Sequence, residues 1–211
     1  MKIAIGIPTL NRYDLLKENL ADLQTNMSDH DGLIIVDNGN QNIQPTPLIS
    51  AIHNPGKNLG VSASWNYILS TSFGETYDAD YCVILNDDIV LGKTKQQLTD
   101  LIISNNNPEF LIGPYFWSAF IMAKSCFASV GLFDEKFYPA YYEDNDYYYR
   151  MVLNGTRYVF TDVLDPAIKR NSMTIKKNKN INYNFSNNKN YFIKKWGGEP
   201  GKEKYPTPFN K

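Results

Sequence analysis

A chain of 211 residues, 43% hydrophobic and 14% aromatic, can bury the core of one large domain, with or without a small appendage. Its formal net charge of -1 gives no global attraction to nucleic acid or to an anionic membrane. No apolar run reaches the length of a membrane span and the N-terminus lacks a signal-peptide pattern, so a cytoplasmic protein is expected.

KIAIGIPT reads as an apolar first strand stopped by Pro8. Arg12 to Met27 follows with helical periodicity, Leu15, Leu16, Leu20 and Leu23 sharing one face. GLIIVDN, Gly32 to Asn38, is a second buried strand that ends in an aspartate. A polar, proline-containing connection then leads through NPGKNLG into a helix carrying SASWNYIL. YCVILNDDIVL, Tyr81 to Leu91, is the most informative stretch: a β-type apolar run that stops abruptly at Asn86, Asp87 and Asp88. A helix from about Lys93 to Ser104, the segment FLIGPYF, a strand SAFIMA and a short helix before Gly131 come next. Glu143 to Leu153 suits a helix terminated by Gly155. Alternating strands and helices, with apolar runs that lack a clean period of two, argue for an α/β fold with a largely parallel sheet covered on both faces. Cys82 falls in a predicted strand and Cys126 in a predicted helix, without metal-ligand spacing, which points to two buried thiols in a reducing compartment. From about Lys176 the chain turns Asn- and Lys-rich, and its ending GGEPGKEKYPTPFN reads as a surface extension or linker.

A buried strand does not tolerate two adjacent carboxylates unless they are paired or hold a cation. In an open α/β sheet the carboxyl ends of the strands face the ligand crevice. Three predicted strands end there in polar residues: Thr9 and Asn11, Asp37 and Asn38, Asp87 and Asp88. Their convergence describes a pocket. Asn58-Leu59-Gly60, before a helix, offers backbone N–H groups to a nucleotide phosphate or base, although ordinary turn residues opening a helix look the same. Neither G-x-G-x-x-G nor the Walker A pattern occurs, which removes dehydrogenases and P-loop ATPases. A second acidic cluster, YYEDNDYYYR, sets Glu143, Asp144 and Asp146 at a helix start among tyrosines. Charge at a helix N-terminus, stabilising by up to about 1 kcal/mol, accounts for Glu143. The flanking tyrosines suit either a sugar-stacking surface or a core.

Taken in order, IGIPTLNR, IIVDNG, NLGVSASWN, VILNDDIVL and GLFDEKFYPAYYEDNDYYYRMVLNG resemble a family 2 glycosyltransferase of the GT-A fold, over roughly residues 2 to 160. KKWGG near the end resembles a common family ending, and in size the chain is similar to the small glycosyltransferase domains of large algal DNA viruses. The resemblance implies a single Rossmann-like α/β domain over about residues 1–175, its central, mostly parallel mixed sheet flanked by helices. A nucleotide-binding half would take about residues 1–92 and an acceptor half about 93–175, followed by a C-terminal helix and polar extension over 176–211.

It also implies roles. Pro8, Thr9 and Asn11, with Asp37 and Asn38, would hold the uracil and ribose of a UDP-sugar; Asn58 and Gly60 would sit against the nucleotide, with Asn66 shaping that wall. Asp88 corresponds to the family's metal-binding aspartate, for Mn2+ or Mg2+, with Asp87 beside it on the ribose or in the metal shell. Asp144 would be the catalytic base of an inverting transfer, and Trp117, Ser118, Tyr142 and Glu143 would line the donor-sugar and acceptor region. The implied activity is metal-dependent transfer of a hexose, with UDP-glucose the favoured donor, to a hydroxyl of a glycan or glycoprotein. Asp78-Ala79-Asp80 also spells D-x-D but precedes its strand, so it is expected at the opposite edge of the sheet. Two departures stand out: no histidine follows the base helix, since His30 and His53 lie far upstream, and the acidic motif reads N-D-D. A sugar nucleotidyltransferase would carry a Gly-rich basic loop where this chain reads PTLNRYDLL, and a UDP-sugar-binding module or inactive relative would keep the pocket without turnover.

Overall fold

The computed structural model describes residues 1–169 and 184–211. At the centre lies a seven-stranded sheet in the order β3-β2-β1-β4-β7-β6-β8. These strands are β1 (Ile3–Thr9), β2 (Gly32–Asp37), β3 (Ala51–His53), β4 (Tyr81–Leu85), β6 (Phe110–Ile112), β7 (Ala119–Ala123) and β8 (Tyr158–Phe160). A separate two-stranded ladder joins β5 (Ile89–Val90) to β9 (Ile168–Lys169). The run β3-β2-β1-β4 is parallel, β7 is antiparallel to both β4 and β6, and β8 is parallel to β6. The sheet is therefore mixed, as the resemblance implies.

Helices cover both faces, which is why the central strands read as unbroken apolar runs. Ile3, Ile5 and Ile7 of β1 pack with Leu16 and Leu23 of α1 (Tyr13–Asn26) and Leu98 and Ile102 of α3 (Lys95–Ser104). Ala4, one residue out of phase, faces the other layer. There Trp65, Ile68 and Leu69 of α2 (Gly60–Phe73) meet Cys126 of α4 (Lys124–Val130) and Tyr147 and Met151 of α5 (Glu143–Leu153). Gly6 on that face lets α2 lie close, since a Cβ there would run into the Ile68 side chain. Cys82 and Cys126 are buried free thiols, each pushed up to about 12 by burial.

The predicted helices over Arg12 to Met27 and from Lys93 appear one or two residues shorter, and FLIGPYF is a strand only to Ile112. Past Pro114 it bends into a 3-10 turn over Phe116–Ser118. The stretch 176–211, set apart by its sequence, lies up to residue 183 outside the described residues. Its helix, α6 (Phe185–Trp196), is built into the molecule. Asn188, Phe192, Lys195 and Trp196 form its buried stripe, and Phe192 and Trp196 share a small third core with Phe137 and Tyr142. Among the described residues no helix is long and apolar enough to cross a membrane.

Candidate active site

Strand register assembles the site. β1 pairs with β2 so that Thr9 lies opposite Asp37, and with β4 so that Gly6 lies opposite Ile84. Extending the second ladder by three residues brings Thr9 to Asp87, and the Thr9 hydroxyl donates to Asp87 Oδ2 at 2.9 Å. The Leu10 N–H reaches the same oxygen at 3.4 Å. From α1, the Asn19 amide donates to the Asp87 backbone carbonyl at 2.8 Å. Asp87 is thus fixed through side chain and backbone, with Asp88 beside it at 5% exposure. Above them opens a cleft. Pro8, Thr9, Asn38, Asn58, Gly60 and Ser118 line it with the two aspartates, and Pro139 and Ala140 close the far side.

The wall at α2 is held by polar side chains. Asn38 donates to the Ser64 hydroxyl at 2.8 Å and accepts the Leu59 N–H at 2.8 Å. The Gly60 N–H is taken by Asn58 Oδ1 at 2.9 Å and the Val61 N–H by the Pro139 carbonyl at 2.8 Å. The Leu59 and Gly60 N–H groups expected to stand free for a phosphate are therefore engaged by the Asn38 and Asn58 side chains, and the 138–140 loop docks on the next one. Gly60 permits that docking: its φ is 78°, and a Cβ would stand 2.8 Å from Pro139 O and 2.9 Å from Tyr138 Cδ2.

Seven implied site residues lie off the cleft lining, four of them away from the entry to α5. Asp37 accepts N–H groups of Gly39 at 3.1 Å and Gln41 at 2.7 Å, which shapes the turn after β2. Asn66 clamps the Phe133 carbonyl and N–H and the Glu135 carboxylate, tying α2 to the 133–135 loop. Trp117 packs among Trp65, Phe110 and Phe120, so only its neighbour Ser118 reaches the cleft. Asn11, at φ 56°, is exposed beside Gly39.

Across the cleft the chain enters α5 through Tyr141 and Tyr142, at φ 78° and 73°. Bulky residues held in this left-handed region cost about 1–3 kcal/mol each and persist only where the surroundings over-determine them. Here Asn188 of α6 donates to the carbonyls of Ala140 at 2.8 Å and Tyr141 at 3.1 Å.

The three acids of the first turn then meet three different fates. Glu143 is 6% exposed, and its Oε2 has no hydrogen-bond partner among the described residues. Burial, with the Asp144 charge adding, pushes its pKa well above the usual carboxylate range. It is not the solvated helix-start charge that the sequence suggests. Asp144 accepts the Asn145 N–H at 2.8 Å, and burial raises its pKa too, against that hydrogen bond. Asp146, fully buried, turns to α6: its carboxylate meets Lys195 Nζ at 2.6 Å, Trp196 Nε1 at 2.8 Å and Arg150 Nε at 3.0 Å. Tyr142, Glu143 and Asp144 follow the Pro139–Ala140 wall in sequence but are not among the lining residues. The tyrosines are divided as well. Tyr147 is core, Tyr141 meets Phe185 of α6 edge-on and Tyr142 meets it tilted, and Tyr148 is exposed.

Pro139, Ala140 and Asn19 carry no sequence flag for a site, except that Asn19 interrupts the apolar face of α1. Arg12, 5% exposed, is a further surprise at this edge. Its bidentate pair with Asp14 raises its pKa most, burial opposes, and the Asp87 and Asp88 charges add to the rise. Asp78 and Asp80 lie at the opposite end of β4, where Asp78 meets Lys124 at 2.7 Å and Asp80 accepts the Lys2 N–H at 2.7 Å. Two adjacent buried carboxylates on a cleft floor suit a hard divalent cation. Among the described residues no three His, Cys, Asp or Glu side chains converge, so such an ion would need further oxygens from its ligand.

No family model matches the chain. A stretch of 47 residues is 43% identical to a galactofuranosyl glycosyltransferase of Leishmania donovani, covering 22% of this chain and 11% of that protein. The mannosyltransferase PcManGT of Pyrobaculum calidifontis, solved with GDP-Man and Mn2+, superposes with a TM-score of 0.64 at 12% identity, over 83% of this chain and 59% of its own. S. aureus TarS in complex with UDP superposes at 0.61 and 15% identity, over 80% of this chain and 59% of its own. A longer TarS structure is spanned over only 35% of its length, so the chain covers about a third to three fifths of the solved structures it matches. The fold is that of the GT-A glycosyltransferases.

Proposed function

We propose that this protein is an inverting glycosyltransferase that moves a hexose from a UDP-sugar to a hydroxyl of a glycan or glycoprotein. One observation carries the proposal: the ends of β1, β2 and β4 form a cleft with Asp87 and Asp88 on its floor, and its far wall at Ala140 leads four residues on to Asp144. A neighbour of the same fold is solved with UDP, which supports the choice of nucleotide. UDP-glucose is the first donor to test.

Pro8, Thr9, Asn38, Asn58 and Gly60 would hold the nucleoside against the sheet edge. Asp88, with Asp87 beside it, and the donor's diphosphate would hold Mn2+ or Mg2+, which when bound supplies positive charge against the leaving group. Buried Arg12 adds a fixed positive charge near the same pair. Asp144 takes the proton of the acceptor hydroxyl as that oxygen bonds to the anomeric carbon and the bond from that carbon to UDP breaks. One displacement inverts the configuration. The raised pKa brings Asp144 closer to the operating pH, which favours a general base.

Calorimetric titration with UDP, with and without Mn2+ and with GDP and CMP as controls, tests the donor class, and a UDP-sugar panel follows. Asp144→Asn should keep UDP binding and lose about 10²–10⁴ in transfer rate. Asp88→Ala should lose metal-dependent binding. Transfer at the parent rate by Asp144→Asn sinks the assignment of the base, and UDP binding by the parent without turnover of any donor makes the chain a binding module.

A further inference from the structure

We propose that α6 is a positioning element of the active site, in which Asn188 sets the turn that aims Asp144. This rests on the reading of Asp144 as the base. Asn188 is 4% exposed, and its amide donates to two consecutive carbonyls, Ala140 and Tyr141. Ala140 is part of the cleft wall. Tyr141 and Tyr142, which follow, hold left-handed backbone that tyrosine does not choose unaided. Something outside the turn must hold it, and the Asn188 amide is placed to do so.

The other end of the same turn is anchored from the same helix. Lys195 and Trp196 bind the Asp146 carboxylate, and the Asp146 N–H closes on the Tyr142 carbonyl at 3.0 Å. Asp144 therefore lies between two attachments, both supplied by α6. The helix contributes no residue to the cleft lining, so its influence would pass through the segments it holds: this turn, and the 133–135 loop through Lys195 and Tyr191 on Asp134. Packing alone does not account for the pattern. Phe192 and Trp196 already bury the helix, yet two of the four positions in its stripe are Asn188 and Lys195. A buried amide and a buried ammonium at those positions make sense as connectors to α5 and its entry.

The test is Asn188→Leu, which keeps the branched shape and removes both donors, assayed for sugar transfer, UDP binding and amide hydrogen exchange. The expected result is a loss of up to about 100-fold in kcat, the scale that a small misplacement of a catalytic group produces. KM for the donor and UDP affinity should stay at parent values. The acid limb of the kcat profile should move to lower pH, because a loosened Asp144 is better hydrated. Exchange should quicken over residues 140–146 while the sheet stays protected. Asn187→Ala, on the exposed side of α6, should leave every readout unchanged. If Asn188→Leu does not fold, Asn188→Ser, too short to reach both carbonyls, takes its place with the same readouts. Parental kcat and pH profile in a folded variant overturn the proposal, as does a rate loss with exchange quickened evenly along the chain. Should the parent transfer no sugar, the reading of Asp144 fails on its own, and exchange over 140–146 still decides whether Asn188 sets the turn.

Discussion

Lys195→Met would show how much of the fold depends on the buried ion pairs between α5 and α6. Lys195 is nearly enclosed, its Nζ 2.6 Å from Asp146 Oδ1 and 2.8 Å from Asp134 Oδ2. Removing one partner of a buried pair costs about 3–5 kcal/mol, because the other charge is left uncompensated. Here both acids keep other partners. Asp146 retains Arg150 and Trp196, and Asp134 retains the Tyr191 hydroxyl at 2.8 Å. The lower end, about 3 kcal/mol, is therefore expected. For a chain of this size that lowers Tm by about 6–12 °C, readable by thermal and urea unfolding at neutral pH. Asp146→Asn in the same background removes the stranded charge, so the double variant should recover part of the loss, with a coupling of about 0.5–3 kcal/mol. The pH dependence has a sign of its own. Burial works to raise the Asp134 pKa, but the Lys195 hydrogen bond, with the backbone and Tyr191, overrules it and lowers the value. A folded pKa below the unfolded one gives stability above about pH 3.9 that fades as pH falls through the folded value. Lys195→Met should lose that part of the acid sensitivity. A Tm within about 2 °C of the parent, less than the shift of a single kcal/mol, would refute the reasoning, as would strictly additive effects of the two substitutions.

Glu143→Gln should be neutral or stabilising at neutral pH, because the buried carboxyl has one oxygen without a partner among the described residues and a raised pKa. Its contribution is fully present below the unfolded value of about 4.3 and is lost as pH rises through the folded one, so Tm of the parent should fall relative to Glu143→Gln across that range. Parallel Tm curves for the two proteins would show that Glu143 is solvated after all. Gly60→Ala should cost about 1–2 kcal/mol for left-handed backbone and about 1–3 kcal/mol for crowding against Pro139 and Tyr138. It should weaken UDP binding as well, and an unchanged Tm would mean that the 138–140 loop gives way freely.

Much of the cleft floor is legible in the sequence because one rule governs it. β1, β2 and β4 are parallel, so their polar ends at Thr9, Asp37–Asn38 and Asp87–Asp88 must share an edge, and register alone predicts the Thr9–Asp87 contact. The rule says which residues are near, not which way they point. Asp37 turns to its own loop and Asn66 to the 133–135 loop, since backbone N–H groups and carbonyls there need partners. The three acids after Tyr142 look alike in sequence, yet helical spacing sends Asp146 into α6 and leaves Glu143 buried without a charge partner among the described residues. The stripe of α6 is half polar, so its periodicity does not announce a buried helix.

The far side of the cleft follows a different logic, which begins at β7. Because β7 runs antiparallel to β4, it is the start of this strand, not its end, that lies at the site edge: the Asn86 N–H bonds the Ser118 carbonyl at 2.9 Å. A search for polar strand ends passes over that position. Beyond it the wall at Pro139 and Ala140 belongs to no strand, and its shape depends on Val61 from α2 and on Asn188, 48 residues away in the chain. The strand-end floor, which would hold the nucleotide on the proposed function, is thus fixed by sheet hydrogen bonds, which side-chain changes cannot easily move. The wall at Pro139 and Ala140, which would face the acceptor on the proposed function, is fixed by a few side chains reaching a loop. Substitutions at Asn188 or in the 138–142 loop can then reshape that wall while the Asp87–Asp88 floor stays in place, so on the proposed function acceptor choice should be more readily altered than donor choice.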